Sequence, residues 1–253
     1  HNQEGLLQSS WAYRYSKRIW YSIIDKERDI IMKNIVKQLI VLSCLFLMIC
    51  VSETNVKAEK LKKFGSPTVL INAGDSGAIY ITKAICEKAG MQFDVGIDVI
   101  PEQLEKGAGR IGENNEKYIS IVECNADFPL GTPYKALVVT IATQNRSGIG
   151  GLSLKYIIEQ VESNLSWAKE RNIPIIGVYA STRDDRGDAR STTEFLIDLV
   201  APYCDILMTT VSSNDDGRFT KLGEDLDIPV IEGKNLTALV SVFQELFGIE
   251  PTE

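Results

Sequence analysis

The chain has 253 residues, 44% hydrophobic and 24% charged, with 19 Gly and 8 Pro; this composition lacks the bias of disordered, collagen-like or coiled-coil chains. Its formal net charge of −7 leaves no basic face for a phosphate backbone, so no nucleic-acid partner is expected. A length near 250 residues permits one α/β domain or two small ones.

Residues 1–31 precede Met32, and "KERDII" just before it can be encoded by a purine-rich stretch resembling a bacterial ribosome-binding site. We expect 1–31 to arise from a start placed too far upstream and to lie outside the fold. From Met32 the chain reads as a secretory signal, 32–58. Lys33 and Lys37 give the positive start, 39–51 is apolar apart from Ser43, and Val56-Lys57-Ala58 supplies the −3/−1 pattern. Those 13 apolar residues would rise about 20 Å as a helix, short of a roughly 30 Å hydrocarbon core. Cleavage near Ala58 and export, periplasmic or extracellular, are the expectation, with no stable membrane span afterwards. The alternative is an uncleaved N-terminal anchor. Cleavage would remove eight cations, five anions and the lone histidine, His1, leaving 59–253 at −10 with no imidazole.

Along 59–253, short apolar β-branched runs alternate with helix-period segments. The expected strands are 68–73 (TVLINA), 93–100 (FDVGIDVI), 136–143 (ALVVTIAT), 173–180 (IPIIGVYA), 205–211 (DILMTTV) and 228–232 (IPVIE). The expected helices are 78–89, 152–171, 192–200, 219–227 and 236–247. This alternation predicts parallel βαβ units with both sheet faces covered. Right-handed crossovers then give a three-layer, doubly wound, mostly parallel sheet of five or six strands, flavodoxin-like or Rossmann-like. Asp75 and Ser76 precede the first helix, Ser153 the second, and Ser191 with Glu194 has capping-box spacing. Residues 101–134, with four glycines and three prolines, form a long excursion with room for one short strand at 118–123 (YISIVE). Excursions of this length are usually functional or mobile.

Ligands of open parallel sheets bind beyond the carboxyl ends of the strands. Four loops leave those ends: 74–77 (GDSG), 144–153 (QNRSGIGGLS), 181–191 (STRDDRGDARS) and 212–218 (SSNDDGR). Glycines there let backbone N–H groups approach a ligand, and helix starts favour anions. The candidate ligand residues are Asp75, Ser76, Gly77, Arg146, Ser147, Gly148, Gly150, Arg183, Arg186, Arg190, Ser191, Asp215, Asp216 and Arg218. The arginines suit a carboxylate or phosphate, and the aspartates balance them or meet an amine. The competing reading is a set of solvated caps and turns whose ion pairs contribute little.

Familiar motifs fail. GDSG matches the tetrad around a serine-protease nucleophile, but it follows a strand, opens a helix and has no histidine base, so Ser76 is expected to be a helix cap. The loop is not G-x-S-x-G, and its two glycines fall short of a dinucleotide fingerprint. Residues 146–151 (RSGIGG) lack the Gly-Lys-Ser/Thr end of a nucleotide-binding loop. The 212–217 stretch has Ser212 where a calcium loop opens with Asp, and Gly223 where its bidentate Glu belongs. Cys86, Cys124 and Cys204 have no CxxC spacing, so no metal is expected; no cofactor is expected either.

The glycine-rich stretch SGIGGLSL, IPIIGVYA with its Arg/Gly loop, and VAPYCDILMTTVSSNDDGRFTKLGEDLDIPV resemble exported bacterial proteins of the family domain of unknown function 6305, over most of 68–247. The excursion is longer than that family leads one to expect. The resemblance implies a secreted α/β domain and supplies no activity or catalytic residue. Taken together, the residues predict an extracytoplasmic protein that binds a small polar or anionic molecule at these four loops. The rival readings are a hydrolase or transferase using Asp75, Asp184 or Asp215 as base, and an interaction domain without a ligand.

Overall fold

A computed structural model describes residues 64–74, 76–111, 122–142, 153–181, 186–187 and 191–250. The chain divides into two units, His1–Leu61 and Lys62–Glu253, and all described residues belong to the second.

Seven strands form one sheet: β1 (Thr68–Gly74), β2 (Phe93–Gly96), β3 (Val122–Cys124), β4 (Ala136–Ala142), β5 (Ile175–Tyr179), β6 (Ile206–Thr210) and β7 (Val230–Gly233). Their order is β3-β2-β1-β4-β5-β6-β7. Every pairing is parallel except β2 with β3. Without that antiparallel edge strand the order is the flavodoxin-like winding, extended by one strand. All of β1 and β5 is buried, as expected of strands covered on both faces, whose apolar side chains do not alternate with exposed polar ones.

Six helices are described: α1 (Ile79–Lys88), α2 (Pro101–Leu104), α3 (Leu154–Glu170), α4 (Thr192–Val200), α5 (Arg218–Leu226) and α6 (Leu236–Phe247). One face of the sheet carries α3, α4 and α5, packed through Val161, Leu165, Leu196, Ile197 and Phe219 onto Val69, Val139, Ile175 and Leu207. The other carries α1 and α6, which pack on each other as well as on the sheet. Gly177 in β5 is fixed by close packing, since a Cβ there would stand 2.7 Å from Cys204 Sγ and 2.8 Å from Leu207 Cδ2, well inside normal contact.

The fold class agrees with the sequence, with two differences of detail. β2 stops at Gly96, because the chain turns through Asp98 at φ 52°, so only the first half of the 93–100 run is strand. The seventh strand comes from the excursion: β3 overlaps the end of the 118–123 segment. That excursion is anchored by Asp94, which is fully buried. Its carboxylate accepts hydrogen bonds from Gly109 N at 2.7 Å, Tyr134 Oη at 2.8 Å and Ala126 N at 3.3 Å. From the opposite side Gln160 and Asn164 of α3 both donate to the Val99 carbonyl, at 2.7 and 2.8 Å. At Gly107 the two arms of the excursion nearly touch, since a Cβ would lie 2.7 Å from the Gly131 backbone, and φ is +75°. Only glycine satisfies both conditions.

Candidate functional site

Because β1, β4, β5 and β6 are parallel, the loops that follow them leave one edge of the sheet. The winding reverses between β1 and β4: from β1 the chain moves outward to β2, then returns past β1 to β4. Gly74 and Ala142, the last residues of those strands, are register partners, so β1 and β4 end side by side. Such a reversal opens the crevice in which doubly wound folds hold ligands.

On the β1 side the crevice is built from the strand end upward. Gly74 ends β1 at φ 102°. Asn72, nearly buried, donates through Nδ2 to the Gly74 carbonyl at 2.8 Å and to Asp98 Oδ1 at 3.0 Å, while its Oδ1 accepts from Asp98 N at 3.0 Å. One amide thus fixes the exit of β1 and ties it to the loop after β2. Ser76 opens a 3-10 turn, Ser76–Ala78, in which Gly77 is exposed. The N-cap of α1 is Ala78, with no side-chain cap, so the helix cap expected at Ser76 is displaced by a turn of 3-10 helix. Asp75, Arg146, Ser147, Gly148 and Gly150 lie outside the described residues.

The loops after β5 and β6 meet in an ionic cluster. Arg186, only 2% exposed, is the largest of the fully buried side chains. Its Nη2 donates to Asp216 Oδ2 at 2.7 Å, and its Nη1 stands 3.3 Å from Glu194 Oε1. The guanidinium lies over the Phe219 ring, 5.6 Å from its centre, and Phe219 stacks on Tyr179 at 5.5 Å. Arg218 donates from Nε to the other oxygen of Glu194 at 3.0 Å and from Nη2 to Asp198 at 2.5 Å. Ser191 serves as the N-cap of α4: its Oγ accepts from Glu194 N at 3.1 Å and donates to the Arg186 carbonyl. Four of the expected residues, Arg186, Ser191, Asp216 and Arg218, are therefore brought together around α4. Asp215 is exposed in the same turn as Asp216. Arg183 and Arg190 lie outside the described residues.

The arrangement is a set of paired charges. Glu194 and Asp216 both face arginines, Glu194 Arg186 and Arg218, and Asp216 Arg186. Buried polar atoms at this end of the sheet without a hydrogen bond include Arg186 Nε, Arg186 Nη1, which has only its ion pair with Glu194, and the hydroxyls of Thr140 in β4 and Thr209 in β6. Among the described residues no group of three His, Cys, Asp or Glu side chains is placed to hold a metal ion, and no helix is long and apolar enough to cross a membrane.

Two contributors escaped the sequence reading. Asn72 is polar in an otherwise apolar strand, and that contrast was the available signal. Asn214 sits in the SSNDDGR loop yet is buried; it donates to Glu232 Oε1 at 2.7 Å and Thr220 Oγ1 at 2.8 Å and accepts from Phe219 N at 2.6 Å. Composition marks that stretch as a turn, but not which of its polar side chains points inward.

The family described as "Domain of unknown function (DUF6305)" matches residues 65–247. The chain belongs to that family. The DUF6305 match takes in every strand and helix described above, the excursion included. Comparison with curated proteins and with solved structures finds no match.

Proposed function

We propose that this DUF6305 domain is an exported binding protein for a small polar or anionic molecule, held at the carboxyl rim of the sheet. The observation that carries the reading is the reversal of strand order between β1 and β4. It sets the end of β1, which leads into a glycine-bearing turn and helix start, beside the end of β4, after which Arg146, Ser147, Gly148 and Gly150 follow in the sequence. Backbone amides and arginines in such a crevice are donors, the complement of carboxylate or phosphate oxygens. The buried Arg186 Nε, with no hydrogen-bond partner, adds a donor of the same kind beneath the neighbouring loops. Export rests on the charged start, short apolar run and small-residue site of 32–58.

A thermal-shift screen of amino acids, carboxylates, phosphates, sugars and nucleotides tests the reading. A ligand at about 100 times its Kd stabilises by about 2.7 kcal/mol, which raises Tm by roughly 5–10 °C for a domain of this size. Recovery of that ligand unchanged after incubation is the expected result. Silence across the panel overturns the proposal, and consumption of the ligand replaces it with an enzyme.

A further inference from the structure

On the face opposite the ionic cluster, α1 and α6 run side by side from the carboxyl rim, and a groove of about 360 Å³ lies between them. Its walls are Tyr80, Ile81 and Ala84 of α1 and Leu236 and Val240 of α6, with Lys88 at the end of α1. Three of these are large apolar side chains left open to solvent: Tyr80 is 44% exposed, Ile81 39% and Leu236 40%. Elsewhere the same helices bury their apolar residues, Ile79 and Cys86 on α1 and Leu239, Phe243 and Leu246 on α6, while Ile85 forms the buried floor of the groove. The exposed set therefore forms a second apolar face. Adjacent exposed apolar side chains mark an interaction site, whereas isolated ones need no explanation.

We propose that this groove binds a medium-chain acyl carboxylate, with the alkyl chain between the helices and the carboxylate on Lys88. The volume falls within the roughly 300–1,000 Å³ of small-molecule sites. At about 30 Å³ for a water-sized group in a liquid, it holds about a dozen heavy atoms. Charge complementarity selects the anionic head. α1 has two lysines: Lys83 is engaged by Glu87 and Glu123, whereas Lys88 makes no ion pair. Among the described residues Lys88 is also the one cation lining the groove, on a chain of net negative charge. The proposal is independent of the carboxyl-rim reading, because no residue of the groove belongs to the ionic cluster or to the four loops.

Titration of the full chain with decanoate, followed by calorimetry, tests it, with decanol as the uncharged control. Saturable binding is expected at or below about 1 mM, the affinity left when burial of the alkyl chain exceeds the cost of immobilising it. Ala84→Trp, an exposed helical position, fills the groove and is expected to weaken decanoate at least about tenfold. Lys88→Met is expected to weaken decanoate about two- to fivefold, the contribution of an exposed ion pair, and to leave decanol unchanged. Circular dichroism of both variants should match the parent. Absence of saturation, or decanoate binding that Ala84→Trp leaves intact, overturns the proposal. A chain that elutes as a dimer and becomes monomeric on Ala84→Trp overturns it too, because a second copy would then occupy the groove.

Discussion

At the scale of single residues, Arg186 combines an ordinary surface chemistry with a core position. Its charge is removed from water and compensated by Glu194 and Asp216, and its plane is covered by Phe219. Removing one partner of such a buried set leaves the others without compensation, which costs more than the intact set contributes. Arg186→Met is therefore expected to lower the unfolding free energy by about 3 kcal/mol, read from urea denaturation. Arg218 makes a similar number of contacts, but its side chain is 27% exposed and Asp198 is 60% exposed. Arg218→Met should cost about 1 kcal/mol or less. Equal losses for the two variants would show that burial does not set the difference.

At the scale of elements, the excursion between β2 and β4 shows how a loop becomes structure. The Asp94 carboxylate collects donors from Gly109, Ala126 and Tyr134, residues far apart in the chain. Asp94→Ala would orphan the Gly109 and Ala126 amides and leave Tyr134 Oη only its 3.3 Å bond to the Gly107 carbonyl, at about 1–3 kcal/mol for each donor left buried. The loss should concentrate in the excursion, seen as faster amide exchange at Gly109 and Ala126 with little change in α3. Uniform acceleration across the domain would refute a local clamp. The same comparison shows what the sequence carried. Strands such as 136–142 and helices such as 192–200 were legible because a continuous apolar run or a 3.6-residue period is local information. The pairing of β3 on β2, the winding order and the clamp at Asp94 depend on contacts between distant segments. The ionic cluster was half legible: residue types in the loops were visible, but Glu194 read only as part of a capping box, and the burial of Arg186 had no local mark.

At the scale of the whole molecule, buried acids give the domain a direction of pH sensitivity. Burial pushes the Cys204 thiol up to about 12 and raises the Cys86 thiol as well. Tyr134 is raised first by burial and then by the Asp94 carboxylate beside it. In the unfolded chain thiols ionise near 8.5 and tyrosine near 10. Below about pH 8.5 both states keep these protons, and stability is complete. As pH rises further the unfolded chain releases them while the native state does not, so stability falls by up to about 1.4 kcal/mol per pH unit for each group. Urea midpoints should decline steadily from pH 8.5 to 11, less steeply for Cys204→Ala. A flat profile would contradict neutral thiols in the core.

The pairing of α1 with α6 has a consequence for folding. Helices at opposite ends of the chain complete one layer together, and Phe64 meets Phe247 at 5.7 Å. Without α6, α1 alone covers that side of the sheet, and part of the apolar surface of Leu70, Val138, Ile176 and Met208 is left in water. The layer therefore closes only when both helices are in place, so folding of this face waits on a contact between the two most distant long helices of the domain.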